Sequence, residues 1–303
     1  MRVRIGRLLG GGALALACSA PFYLGPFALY LLAEILAWGL FALAFDLLYG
    51  YAGMLSLGQS VFFGVGAYAA ALGLLHSGLG GGAALFLALG VTTLLSLGLG
   101  TLLVRVRSHG FIVLTLALAV IFYLAALNLR GLTGGDDGLS VSVPLTPRWD
   151  YFVNLAAVVI VFGGARWLVR TPLGLALQLV RENPRRAASL GYGVGSLRLL
   201  AFTLSGLLSG LAGVLYLYTA QFVSPELLDW PTAANPLIWT LFGGAGTLSG
   251  PLLGTGILLL AREWLSSWWS YGYPILVGIL IILVVRFAPQ GLWGLTKRWR
   301  SLR

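Results

Sequence analysis

The stretch FALYLLAEILAWGLFALAFDLL, residues Phe27 to Leu48, decides the fold. Its 22 residues carry two charges, Glu34 and Asp46, and a helix needs roughly 20 apolar residues to cross a hydrocarbon core of about 30 Å. Working outward, comparable apolar runs lie at 8–24, 57–75, 83–104 and 111–127, then at 151–168, 197–220, 248–265 and 274–287. The connections between the early runs are very short. A piece at 232–242 is too short for one regular crossing and reads as either a span or a re-entrant segment. The expectation is an all-α, polytopic transmembrane helix bundle of about 8–10 spans, forming a single domain over 1–303.

Composition agrees with this reading. Of 303 residues, 59% are hydrophobic and 9% charged, and mean hydropathy is +0.93; a soluble domain carries about 25% charged residues. A water-soluble fold is therefore excluded. Cys18 stands alone, so no intramolecular disulfide forms, and with His76 and His109 as the only histidines no Cys/His zinc cluster can be built. No nucleophile–base–acid set is apparent, which argues against an enzyme. A P-loop needs a lysine after its glycines, and the only lysine, Lys297, lies in the basic tail 295–303. The chain has no ATP-binding motif of that kind. Arg2, Arg4 and Arg7 ahead of an apolar run outline a secretory signal, but apolar character resumes after Pro21, so an uncleaved first helix is expected.

The net charge of +10 invites a nucleic-acid reading, and the placement of the charges argues against one. Ten crossings from an internal N-terminus leave Arg130, Arg148 and Arg262 outside and the other sixteen of the nineteen basic residues inside. Basic loops resist translocation, so this asymmetry sets both termini in the cytoplasm. Asp136, Asp137, Asp150, Glu226, Asp229 and Glu263 then face outward, and Trp264, Trp268 and Trp269 form an outer aromatic belt. In the run that opened this reading, Glu34 falls in the outer half and Asp46 near the cytoplasmic end, within reach of water. Twelve positions apart, the two acids cannot pair on one helix, which weakens a proton relay.

The 43 glycines cluster at 50–66 and 243–256, where helix backbones can pack closely or break. The clusters share a faint repeat, Ala52-Gly53-Met54-Leu55-Ser56 and Ala245-Gly246-Thr247-Leu248-Ser249. Ser56, Gln59 and Ser60 near the first break, and Thr240, Thr247 and Ser249 near the second, are candidates to line a solute path. Helix-to-helix hydrogen bonding is the plainer role for each.

The longest polar interruption on the predicted inner side is Thr171 to Arg198. Asn183 suits a helix cap, Pro184 the first helical position and Gly191 a left-handed exit, which predicts a short helix presenting Arg185 and Arg186, with Arg181 and Glu182 just before it. A solvated basic loop is the alternative.

The segment RTPLGLALQLVRENPRRAASLGYGV resembles the coupling region of LivM-type permeases of branched-chain amino acid ABC importers, in which this turn rests on the ATPase. GYAGMLSLGQSVFFGVGAYAAALG, LTGGDDGLS, LSGLLSGLAGVLY, LFGGAGTLSGPLLG and RFAPQGLWG resemble further segments of that family in its order, from about residue 35 to 295. Met54 departs from the polar residue expected there, so no substrate contact is carried over to it. The resemblance implies a transport subunit in a bacterial-type inner membrane, with a second related permease, two ATPase subunits that hold ATP and Mg, and an external solute-binding protein. Arg181, Glu182, Asn183, Pro184, Arg185, Arg186 and Gly191 would meet the ATPase. Asp136, Asp137, Glu226 and Asp229 would meet the binding protein, with solvated loop charges as the alternative. The solute would be a branched-chain amino acid or similar small polar molecule; urea or a short amide is an alternative within the family, and an ion-coupled carrier acting alone one outside it.

Overall fold

The computed structural model describes residues 17–106, 109–143 and 145–268, together with 275, 278, 279, 282, 286 and 291–294. After a helical stretch at 17–23, helix α1 (Pro26–Asp46) starts with proline at its first turn and runs on through a π turn at Leu47–Tyr51. Proline suits that start because it lacks an N–H where none would be bonded. Helices α2 (Gln59–His76), α3 (Gly81–Leu103), α4 (His109–Asn128) and α5 (Pro147–Leu168) follow. Then come α6 (Pro172–Glu182), α7 (Pro184–Ser189), the long α8 (Val194–Ala220), α9 (Trp230–Gly243) and α10 (Ser249–Trp268). Two short strands, β1 (Leu139–Ser140) and β2 (Phe222–Val223), pair antiparallel with Leu139 opposite Val223.

Six of these helices are long and apolar enough to cross a membrane: α1 with its π turn, α2, α3, α4, α5 and α8. The expected short piece at 232–242 is α9, whose 14 residues reach about 21 Å and hold Pro236. It turns back through 244–248 into α10, making a helical hairpin. The expected spans at 8–24 and 274–287 lie largely outside the described residues.

Helix α8 is the centre of the bundle and packs on α1, α2 and α3. Lipid tails are as apolar as leucine, so helices in a bilayer gain little from hydrophobicity and hold together by close packing and hydrogen bonds. Here the packing is backbone against backbone. A Cβ on Gly213 would stand 1.9 Å from the Phe63 carbonyl oxygen, and one on Gly66 2.4 Å from that of Gly210. Ser205 Oγ donates to the Ala44 carbonyl at 2.7 Å and Ser209 Oγ to Gln59 Oε1 at 3.1 Å, fastening α8 to α1 and α2. On its other sides α1 meets α5, α9 and α10, with Trp38 stacked on Phe63 at 4.7 Å and edge-on to Trp239 at 5.5 Å.

Side-chain bonds fix which helix ends lie together. Asn154 Nδ2 donates to Thr219 Oγ1 at 3.2 Å, the Tyr218 hydroxyl bonds the Gly81 carbonyl, and Arg262 pairs with Glu34 at 3.5 Å. The starts of α1, α3 and α5 and the ends of α8 and α10 therefore share one end, the far end. The α6–α7 loop occupies the other, the loop end. Helices α3 and α4 leave large apolar side chains such as Phe86, Leu94, Val113 and Ile121 exposed, as a lipid-facing surface requires.

Replacing Gly213 by leucine should force α2 and α8 apart, an overpacking cost of about 3 kcal/mol or more. Gly90→Leu, in open space on α3, should be neutral. Melting of the purified protein in detergent distinguishes the two.

Candidate functional site

The loop end is built from local signals. Thr171 Oγ1 accepts from the Gly174 amide at 3.4 Å and Pro172 opens α6; Asn183 Oδ1 accepts from the Arg186 amide at 3.0 Å and Pro184 opens α7. Gly191 leaves the helix at φ +85°. Helix α6 was not expected, although Gly174, Leu177 and Val180, its buried stripe, recur every third residue behind a threonine cap.

The seven loop residues do not act as one surface. Glu182, Asn183, Arg185, Arg186 and Gly191 are exposed and Pro184 is half-buried. Arg181 is exposed too, but it turns toward the bundle, where Nη1 donates to the Gly50 carbonyl.

Three irregular segments interrupt the bundle. The first, 52–58, leaves the loop end with Gly53 at φ +70°. Its Leu57 amide donates to Thr115 Oγ1 at 3.1 Å, six residues into α4 and so about 9 Å along it, and Ser56 Oγ accepts from the Gly58 amide at 3.2 Å. The second, 224–229, folds back from the far end through a 3-10 turn at Pro225–Leu228. It packs on the first turns of α2, just past the first segment: Ser60 Oγ donates to the Leu228 carbonyl at 3.1 Å, and the Leu228 side chain fills the space over Gly64. Beside this contact Gln59 is fully buried, its Oε1 held by Ser209 and its Nε2 without a hydrogen-bond partner among the described residues.

The third segment, 244–248, joins α9 to α10. Thr247 Oγ1 donates to the Gly244 carbonyl at 2.7 Å and accepts from the Gly250 amide at 2.9 Å; Ser249 Oγ donates to the Thr247 carbonyl at 3.2 Å. Thr240 Oγ1 donates to the Ala42 carbonyl at 3.4 Å. Ala42 and Ala44, the acceptors of Thr240 and Ser205, are about 200° apart around α1. Thr240 is thus bonded to α1, whereas Gln59 of the other group is bonded to Ser209 of α8. The repeat noted in the sequence has a common geometry. Gly53 at φ +70° and Gly246 at φ +74° occupy matching positions, each between a helix arriving at the loop end and one leaving it.

Asp46 corrects the sequence reading. Instead of meeting water it is fully buried, and its two carboxylate oxygens accept the amides of Gly246 at 2.6 Å and Leu248 at 3.1 Å. An acid inside an apolar span is the signal that marks it. At the far end, Asp136, Asp137 and Glu226 are exposed, while Asp229 caps α9 by accepting from the Trp230 amide at 2.7 Å. The β1–β2 pair ties the two acidic stretches together. Among the described residues no three His, Cys, Asp or Glu side chains gather to hold a metal.

Six helices long and apolar enough to cross a membrane, with an amphipathic helical loop at one end, define a multi-pass membrane protein. The chain belongs to the family of permease components of branched-chain amino acid transport systems, whose family model matches residues 27–285. It is 28% identical over 96% of its length to the high-affinity branched-chain amino acid transport system permease proteins LivM of Salmonella typhimurium and Escherichia coli, covering 75% of each. It is also 29% identical to the autoinducer 2 import system permease protein LsrC of an Enterobacter species, over 50% of this chain and 46% of that one. No solved structure matches it.

Asn183→Ala removes the cap of α7 at a cost of about 1 kcal/mol. The expected result is roughly fivefold faster hydrogen exchange over 186–190 in detergent, with the amides of α8 unchanged.

Proposed function

We propose that the chain is the membrane-spanning subunit of an ATP-driven importer that moves branched-chain amino acids by alternating access. The observation that carries this reading is the α6–α7 loop: a helical turn capped by Asn183 that exposes Arg185 and Arg186 at the same end of the bundle to which Arg181 is tied. A capped turn is rigid enough to transmit force, and its exposed guanidiniums suit an acidic groove on an ATPase. Two such ATPases hold ATP and Mg. A second, related permease completes the pathway, supported by the similarity, 28% over half of this chain, to the probable branched-chain amino acid transport permease protein LivH of Methanocaldococcus jannaschii. An external solute-binding protein docks on the acidic far end, at Asp136, Asp137, Glu226 and Asp229. Both termini are cytoplasmic.

The solute passes where the second irregular segment packs on the start of α2, at Ser56, Gln59 and Ser60 with Leu228. Interrupted helices bring amides and carbonyls to a zwitterion, and buried Gln59 Nε2 adds a donor. Thr247 and Ser249 hold the α9–α10 turn in shape, and Thr240 fastens α9 to α1, rather than meeting solute. The similarity to LsrC favours one other reading, a different small polar solute carried by the same machinery.

Arg185→Glu with Arg186→Glu should leave the protein inserted in the membrane and abolish co-purification with its ATPase; undiminished co-purification would refute docking. In a Cys18→Ser background, an impermeant thiol reagent should label Asp136→Cys from outside and Arg185→Cys only from the cytoplasmic side. Uptake by the reconstituted complex, challenged with a panel of amino acids and urea, identifies the solute.

A further inference from the structure

Three segments far apart in sequence converge at the loop end around Asp46. The carboxylate of Asp46 holds the amides of Gly246 and Leu248, and so fixes the 244–248 turn, in which Gly246 at φ +74° and Leu248 at φ +59° are both left-handed. A left-handed leucine is unfavourable on its own and needs surrounding contacts to persist. One turn further along α1, a Cβ on Gly50 would stand 2.2 Å from Asp46 Oδ1 and 2.6 Å from the Gly246 amide, so only glycine lets the π turn approach this closely. Arg181 closes the arrangement. Its guanidinium bonds the Gly50 carbonyl, its stem lies 2.8 Å from where a Gly53 Cβ would be, and Nη1 lies 3.3 Å from where one on Gly246 would be. One side chain of the α6–α7 loop thus touches both AGxLS glycines at once.

Such an arrangement transmits displacement. The Asp46 bonds join charge to amide and are stronger than neutral ones. A shift of α6 cannot leave the π turn in place without breaking the Arg181–Gly50 bond, and the Asp46 bonds tie the 244–248 turn to the same stretch of α1. We propose that Asp46 and Arg181 form the joint through which movement of the α6–α7 loop reaches both AGxLS turns in each transport cycle, Arg181 belonging to this joint and not to the docking surface. The inference rests on the importer reading above, and both are positioning residues that act through the turns they hold.

The test uses the complete complex of permeases and ATPases in proteoliposomes, with the solute-loaded binding protein added. For Asp46→Asn, Arg181→Ala and Arg181→Lys, three quantities are measured: co-purification of the ATPase, the ratio of stimulated to unstimulated ATP hydrolysis, and uptake. Asp46→Asn and Arg181→Ala should keep the ATPase bound while the stimulation ratio and uptake fall about tenfold or more. Arg181→Lys, which keeps a charged donor, should recover part of the loss, and the Asp46→Asn/Arg181→Ala double variant should be no worse than the worse single one. A merely structural role would not produce that rescue or that lack of additivity. Stimulation and uptake within twofold of the unmodified complex in Arg181→Ala would overturn the joint, and so would loss of ATPase binding in that variant. Should Asp46→Asn fail to accumulate, the arginine variants decide alone, because they leave the Asp46 bonds in place. If the unmodified complex itself shows no stimulated hydrolysis, the importer reading fails instead.

Discussion

Away from water, every backbone amide and carbonyl must find a partner within the protein, and the placement of polar residues in this bundle follows from that demand. Regular helices meet it by themselves, which is why α3 and α4 can consist almost wholly of apolar residues. Each interruption needs help from a side chain. Thr115 receives the amide of Leu57, Ser60 bonds the carbonyl of Leu228, and Asp46 receives the amides of Gly246 and Leu248. Some buried polar side chains thus serve the interruptions, while others, such as Ser205 and Ser209 in the middle of α8, fasten regular helices to one another.

The same demand separates rigid from movable parts. Where α8 meets α2, Gly213 brings main chains into direct contact, and where it meets α3, Gly206 and Gly210 seat the side chains of Ser96 and Thr92, leaving no slack for sliding. Packed interfaces of this kind shift between discrete arrangements instead of deforming gradually. The α9–α10 hairpin is held differently. It packs on α1, and its turn is gripped through a few directional bonds, which can be exchanged as a set.

What the sequence discloses is what local physics determines. Apolar runs about as long as a bilayer core is thick located α1 to α5 and α8, and the Asn183, Pro184 and Gly191 signals gave α7 because cap, first turn and exit all lie within nine residues. Helix α6 escaped notice because its apolar stripe was hidden in a segment read for its charges. The burial of Asp46 was not legible, since its partners lie 200 and 202 residues away and nothing near it names them. The meeting of Ser60 with Leu228, 168 residues apart, was invisible for the same reason; Ser60 was singled out for its hydroxyl alone. The AGxLS repeat was visible as letters, and its shared left-handed glycine emerges only from the backbone.

The long separation between Asp46 and its amides has a consequence for biosynthesis. At about 5–20 residues per second a ribosome needs roughly 10–40 s to add the 202 residues that bring Leu248 into being. Throughout that interval the carboxylate of Asp46 lacks the two amides that it accepts in the finished fold. The α9–α10 hairpin supplies them, so the nascent chain completes this part of its interior late, and a polypeptide truncated before residue 246 lacks both amides.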